Sequence, residues 1–172
     1  MLITLVIVAF GLLGVAGLQY RAQMSQMETY QREQALILLA DMSSRIATNR
    51  AAAASYIRSA SNPLGAGTSC LAAVTTRQEM DAAQWCRALL GAAESSAGAK
   101  VGAMIGARGC IESLGGKDYL ISVVWQGMAG VSAPPDSVAC GRGLYDSANE
   151  TSCSGDRCRR AVTTVVRIGD LS

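Results

Sequence analysis

Six cysteines, Cys70, Cys86, Cys110, Cys140, Cys153 and Cys158, are the residues best suited to covalent or metal chemistry, and the chain contains no histidine. Without imidazole, Ser-His-Asp and Cys-His catalysis are excluded, as is every zinc site that needs a histidine ligand. A thiolate site built around Cys140, Cys153 and Cys158 would lack the C-x2-C knuckle spacing of structural zinc. An even number of cysteines confined to one half of an exported chain reads instead as disulfides. Spacing alone does not set the pairing. Locality favours Cys70 with Cys86, and Cys140 with Cys153 would close an irregular loop. Gly141-Arg142-Gly143 and Gly65-Ala66-Gly67 are fragments of a phosphate loop without the strand–turn–helix context. No nucleophile motif is present, so the chain is expected to be no enzyme and to carry no cofactor and no metal.

The second informative spacing is Gly11, Gly14 and Gly17, every third residue of a start that carries no formal charge before Arg21. Leu2 to Leu18 reads LITLVIVAFGLLGVAGL, with Thr4 as the polar exception. As a helix it would run about 25 Å against a bilayer core of about 30 Å, a slightly short membrane span. No basic stretch precedes it, which disfavours a cleaved signal peptide. Glycines lower helix propensity by about 1 kcal/mol each, but a strip without side chains lets a second helix approach closely. Phe10, Gly11, Leu12, Leu13, Gly14 and Gly17 are the candidate packing residues.

Positioning this segment requires a long helix. From Tyr20 to Arg58 there is no Gly or Pro. Tyr20, Met24, Met27, Gln31, Ala35, Leu38, Met42, Ile46, Ala53 and Ile57 fall mostly three or four apart, a helical stripe. Arg21, Glu28, Arg32, Glu33, Asp41, Arg45 and Arg50 are expected on the opposite face, with Asp41 and Arg45 paired at i and i+4. Ser61-Asn62-Pro63-Leu64-Gly65 is a stop signal. One helix from Leu2 to about Ser59 is expected, near 87 Å long.

The remainder has the pattern of a small α+β head. A short helix is expected over Asp81 to Ser95. Strands are expected over Gly109 to Ser113, Asp118 to Gln126 and Arg159 to Ile168, with a turn at Leu114 to Lys117. Ala133 to Asp156 reads as irregular. The whole is an antiparallel sheet of three or four strands laid on the stalk helix, organised as residues 1–20 for the membrane and assembly half, 21–60 for the amphipathic stalk and 61–172 for the head. The balance of 15 Lys+Arg against 13 Asp+Glu, with one Phe and two Trp, argues against a nucleic-acid partner, which needs a clustered basic excess or stacking aromatics.

Two stretches carry a family resemblance. Ala9-Phe10-Gly11-Leu12-Leu13-Gly14-Val15-Ala16-Gly17-Leu18-Gln19 is similar to the "A-I-G-L-L-G-L-A-G-L-Q" run of minor pilins in the type IV pilus modification protein (PilV) family. Leu39-Ala40-Asp41-Met42-Ser43-Ser44-Arg45-Ile46 with Asn49-Arg50-Ala51 resembles that family's "LA-x-DM-x-x-RI-x-x-NR" stretch. The resemblance implies a type IV pilin-like fold and a structural role: a minor pilin in the bacterial inner membrane with its head in the periplasm, packing with other minor pilins and the major pilin to prime a type IV pilus, at whose tip it is incorporated. Family members start with a basic leader and a site where prepilin peptidase cuts and methylates, followed by an early glutamate. Leu5 does not replace that glutamate, and the start is expected upstream of Met1. Two alternatives remain open: a minor pseudopilin of a type II secretion system, and a tip module whose loop at 133–156 binds an adhesin.

Overall fold

The computed structural model describes residues 2–92, 95–96, 99–100, 104–146 and 151–169. Helix α1 (Leu2–Thr48) is continuous over 47 residues, about 70 Å at 1.5 Å per residue. Its two halves differ in what they touch. Every described side chain from Ile3 to Gln23 is exposed. From Gln31 onward, Gln31, Ala35, Leu39, Met42 and Ile46 are buried at steps of three or four, the row that a helix must turn toward a core. Tyr20, Met27 and Ile57, expected in that row, are exposed.

The helix stops at Thr48 rather than near Ser59. Asn49 leaves helical geometry (φ −104, ψ 47), and Arg50–Tyr56 continues as a 3-10 turn with Ala52 outside helical angles. Ala51 to Ala54 are strong helix formers, yet the preference of each is worth only tenths of a kcal/mol. The tighter turn buries Tyr56 to 1% exposure. The Tyr56 hydroxyl donates to Asp81 Oδ2 at 2.6 Å and accepts from Asn49 Nδ2 at 3.0 Å. Tertiary burial and two hydrogen bonds outweigh local propensity.

Helix α2 (Arg77–Leu89) begins ahead of the expected Asp81 because Thr76 caps it: Glu79 N–H donates to Thr76 Oγ1 and Thr76 N–H donates back to Glu79 Oε2. This reciprocal capping box satisfies two of the donors a helix start leaves free. It ends at Leu89, short of the expected Ser95, where Gly91 takes a left-handed φ of 77, the conformation glycine supplies after a helix.

The head sheet contains β1 (Leu64–Gly65), β4 (Arg108–Gly115), β5 (Asp118–Gln126) and β6 (Arg159–Arg167), antiparallel in the order β1-β4-β5-β6. A separate pair joins β2 (Ser95–Ser96) to β3 (Ala99–Lys100). β5 matches its expected strand, while β4 starts one residue early and runs on through Leu114 and Gly115, two residues expected in the turn; the chain reverses at Gly115 and Gly116, both at positive φ. One face of the sheet packs Ile111, Ile121, Val123 and Val166 against Met42, Ile46 and the α2 residue Trp85. On the other face, Cys110, Val124, Cys140 and Tyr145 form a second cluster under the long β5–β6 connection. The architecture is α+β: a long apolar N-terminal helix, a four-stranded antiparallel sheet and three disulfides.

Cys70 pairs with Cys86 as expected. The expected Cys140–Cys153 bond is wrong: Cys140 pairs with Cys110 and Cys153 with Cys158. The connection does not close on itself. It folds back across the sheet, bringing the Cα of Cys140 to 5.8 Å from that of Cys110 on β4, within disulfide reach. That pairing leaves Cys153 to its neighbour Cys158, 4.8 Å away.

Candidate functional site

The exposed arm of α1 is the surface that the head does not use. Residues 2–20 carry no charge and span about 28 Å as a helix, close to the roughly 30 Å of a bilayer core. The helix is long and apolar enough to cross a membrane. Phe10, Leu12 and Leu13 are 71%, 64% and 68% exposed, and a Cβ added at Gly11, Gly14 or Gly17 would meet nothing within 4 Å. The six candidate packing residues do not share one face. At about 100° per residue the three glycines sweep roughly 120° of arc, with Phe10 between Gly14 and Gly17, while Leu12 points nearly opposite to Phe10. Gly14, Phe10, Gly17 and Leu13 fall within about 100° of arc and can face a single neighbouring helix, with Gly11 at the margin and Leu12 turned away.

The arm is aimed by a polar seam between α1 and the head. Glu28 Oε1 accepts from Arg160 Nη2 on β6 at 2.8 Å and from the Met128 backbone N–H at 3.2 Å. Higher up, Arg45 Nε donates to both oxygens of Asp41 at 2.9 Å. Arg45 Nη1 reaches α2, donating to Asp81 Oδ1 at 2.8 Å and Gln84 Oε1 at 2.7 Å. Between them the Trp85 indole N–H donates to the Leu38 carbonyl at 2.9 Å. Glu28, Asp41 and Arg45, expected on the solvent face, therefore belong to the seam, whereas Arg21, Arg32, Glu33 and Arg50 are exposed as expected.

Asp81 is the centre of this network. Its side chain is 2% exposed and receives Arg45, Arg77 and Tyr56. Burial opposes its charge, but the Tyr56 hydrogen bond and the two guanidinium partners prevail and hold its pKa below the ordinary carboxylate value. Tyr56 moves the other way: burial and the Asp81 acceptor both raise it. The arrangement clamps helix to head. All six cysteines are in disulfides, and among the described residues no three His, Cys, Asp or Glu side chains converge to hold a metal.

Sequence reasoning missed Thr76, Glu79, Tyr56, Asp81 and Trp85 as positioning residues. The signal for the first two was present, since Thr76-Arg77-Gln78-Glu79 is a capping-box pattern. Asp81 and Tyr56 lie 25 residues apart and have no local signature. No protein-family model, curated protein or solved structure matches the chain.

Proposed function

We propose that this chain is a minor pilin that sits in the bacterial inner membrane with its head in the periplasm and helps to prime a type IV pilus, entering the fibre at or near the tip. The observation that carries this reading is the division of α1: one half is charge-free and exposed along its length, the other is built into a disulfide-linked head. A helix that exposes this much apolar surface needs lipid or other helices around it. It can exchange one for the other without leaving an apolar environment. The strip of Phe10, Gly14 and Gly17 supports close packing against a pilin helix, and the resemblance in residues 9–19 and 39–51 supplies the identity of the assembly.

The test is deletion of the gene in its host, with complementation by the wild-type chain and by Gly14→Leu/Gly17→Leu. The expected result is loss of surface pili with protein secretion intact, restored by wild type and not by the double variant, although the variant accumulates in the membrane. Lost secretion with normal pili would assign the chain to a secretion system instead. Normal pili with lost adhesion would leave only a tip-binding role for the head.

A further inference from the structure

The head sheet has two edges of opposite character. One is β1, two residues long and preceded by Pro63, a short edge of the kind that discourages pairing. The other is β6, which runs nine residues, pairs only with β5 and does so without a bulge. Between Ala161 and Val166 it contains no charge and no proline, and it is rich in β-branched residues that favour strands.

The pairing pattern shows which of its backbone groups are free. Gln126 N–H donates away from β6, to the Ile105 carbonyl, and Ile168 N–H donates toward β5, to the Lys117 carbonyl. With the alternation of an antiparallel ladder, the amides and carbonyls of Ala161, Thr163 and Val165 therefore point outward. None of the three residues makes a hydrogen bond beyond the strand among the described residues, and Thr163 and Val165 are exposed. A groove alongside is lined by Pro134, Pro135, Val138, Ala161 and Thr163 together with Arg160.

We propose that the β6 edge takes an extended segment of another polypeptide as a fifth strand of the sheet. That segment is uncharged where it lies along 161–165 and acidic where it passes the exposed Arg157; at the other end Arg167 is already held by Asp118 at 2.8 Å. Main-chain hydrogen bonds supply the affinity of such strand addition, and the Arg157 charge and the groove supply the choice of partner. A second copy of this chain fits poorly, because antiparallel pairing of β6 with itself sets Arg157 against Arg167, whose carboxylate partner Asp118 is already engaged and leaves Arg157 no acidic group. The inference goes beyond the membrane-helix reading and stands on the sheet edge alone.

The test uses the full chain in detergent and the peptide Asp-Glu-Thr-Val-Thr-Val-Thr-Glu-Asp as probe. Hydrogen exchange at the Ala161, Thr163 and Val165 amides is expected to slow at least about tenfold at saturating peptide. Thr163→Pro removes an N–H that has no partner among the described residues, a change an edge strand tolerates, and is expected to weaken binding about tenfold. N-methylation of the peptide on its inward-facing residues is expected to do the same without altering the protein. Unchanged exchange at millimolar peptide, or equal binding of the N-methylated peptide, would overturn the proposal. Protection of the same amides by dimerisation without peptide would overturn the assignment of the occupant.

Discussion

Arg45 on α1 and Asp81 on α2 meet at 2.8 Å although 36 residues of sequence separate them. Arg45 gathers Asp41 from its own helix, and Asp81 gathers Tyr56 from the 3-10 turn and Arg77 from its own first turn. The network ties three elements at the point where the helix gives way to the head. Breaking it from the Asp81 side leaves the buried Tyr56 hydroxyl without its acceptor, while the part-exposed Arg45 keeps Asp41 and Gln84. Asp81→Ala is expected to lower stability by about 1–3 kcal/mol, and Tyr56→Phe by about 1–2 kcal/mol. Urea unfolding of the two variants in the same detergent measures both; equal midpoints to wild type would deny the network a stabilising role.

The same carboxylate sets an acid limit. Its pKa in the folded state lies below the ordinary value of 3.8, so the unfolded chain takes up the proton first. The stabilisation is fully present above pH 3.8 and fades as the pH falls through the lower folded value. Glu79, held down to about 2 by the Thr75 and Thr76 hydrogen bonds, acts in the same direction. Thermal melts of wild type and of Asp81→Asn are expected to converge as the pH is lowered below 3.8. A gap that stays constant across that window would contradict the assignment.

Gly109 on β4 lies flat against the Trp85 ring, and a Cβ there would overlap the Cη2 and Cζ3 atoms. Trp85 is fully buried and anchored to the Leu38 carbonyl, so it cannot easily yield. Gly109→Ala is expected to cost about 1–3 kcal/mol by overpacking and to change the near-ultraviolet circular dichroism of the tryptophans. A wild-type spectrum and melt would show that the ring has room.

Peptide mapping without reductant is expected to yield three linked pairs, Cys70 with Cys86, Cys110 with Cys140 and Cys153 with Cys158. The Cys110–Cys140 bond spans 30 residues, and its removal in Cys110→Ser/Cys140→Ser is expected to cost about 3–4 kcal/mol. Far-ultraviolet helicity should remain, because α1 lies against the opposite face of the sheet. A Cys140–Cys153 peptide would overturn the folded path of the connection.

What the sequence determined by itself is local. The charge-free run before Arg21 and the period of three or four through Gln31, Ala35, Met42 and Ile46 suffice for a long helix with one lipid-like and one core-facing half. The strands Asp118–Gln126 and Arg159–Arg167 follow from their β-branched and aromatic content. These features depend on neighbours a few residues apart, and the physics of periodicity and propensity acts at that range. Only the tertiary structure decided the rest. Four alanines did not keep the helix going past Thr48, because Tyr56 gains more from Asp81 than they gain from helix. Glu28 and Arg45 turned inward because Arg160 and Asp81 were waiting on other elements. Cys140 found Cys110 because the long connection folded across the sheet. Each outcome required two residues distant in the chain to be brought within a few ångströms, and the free energy that selects such a meeting exists only once the fold has made it.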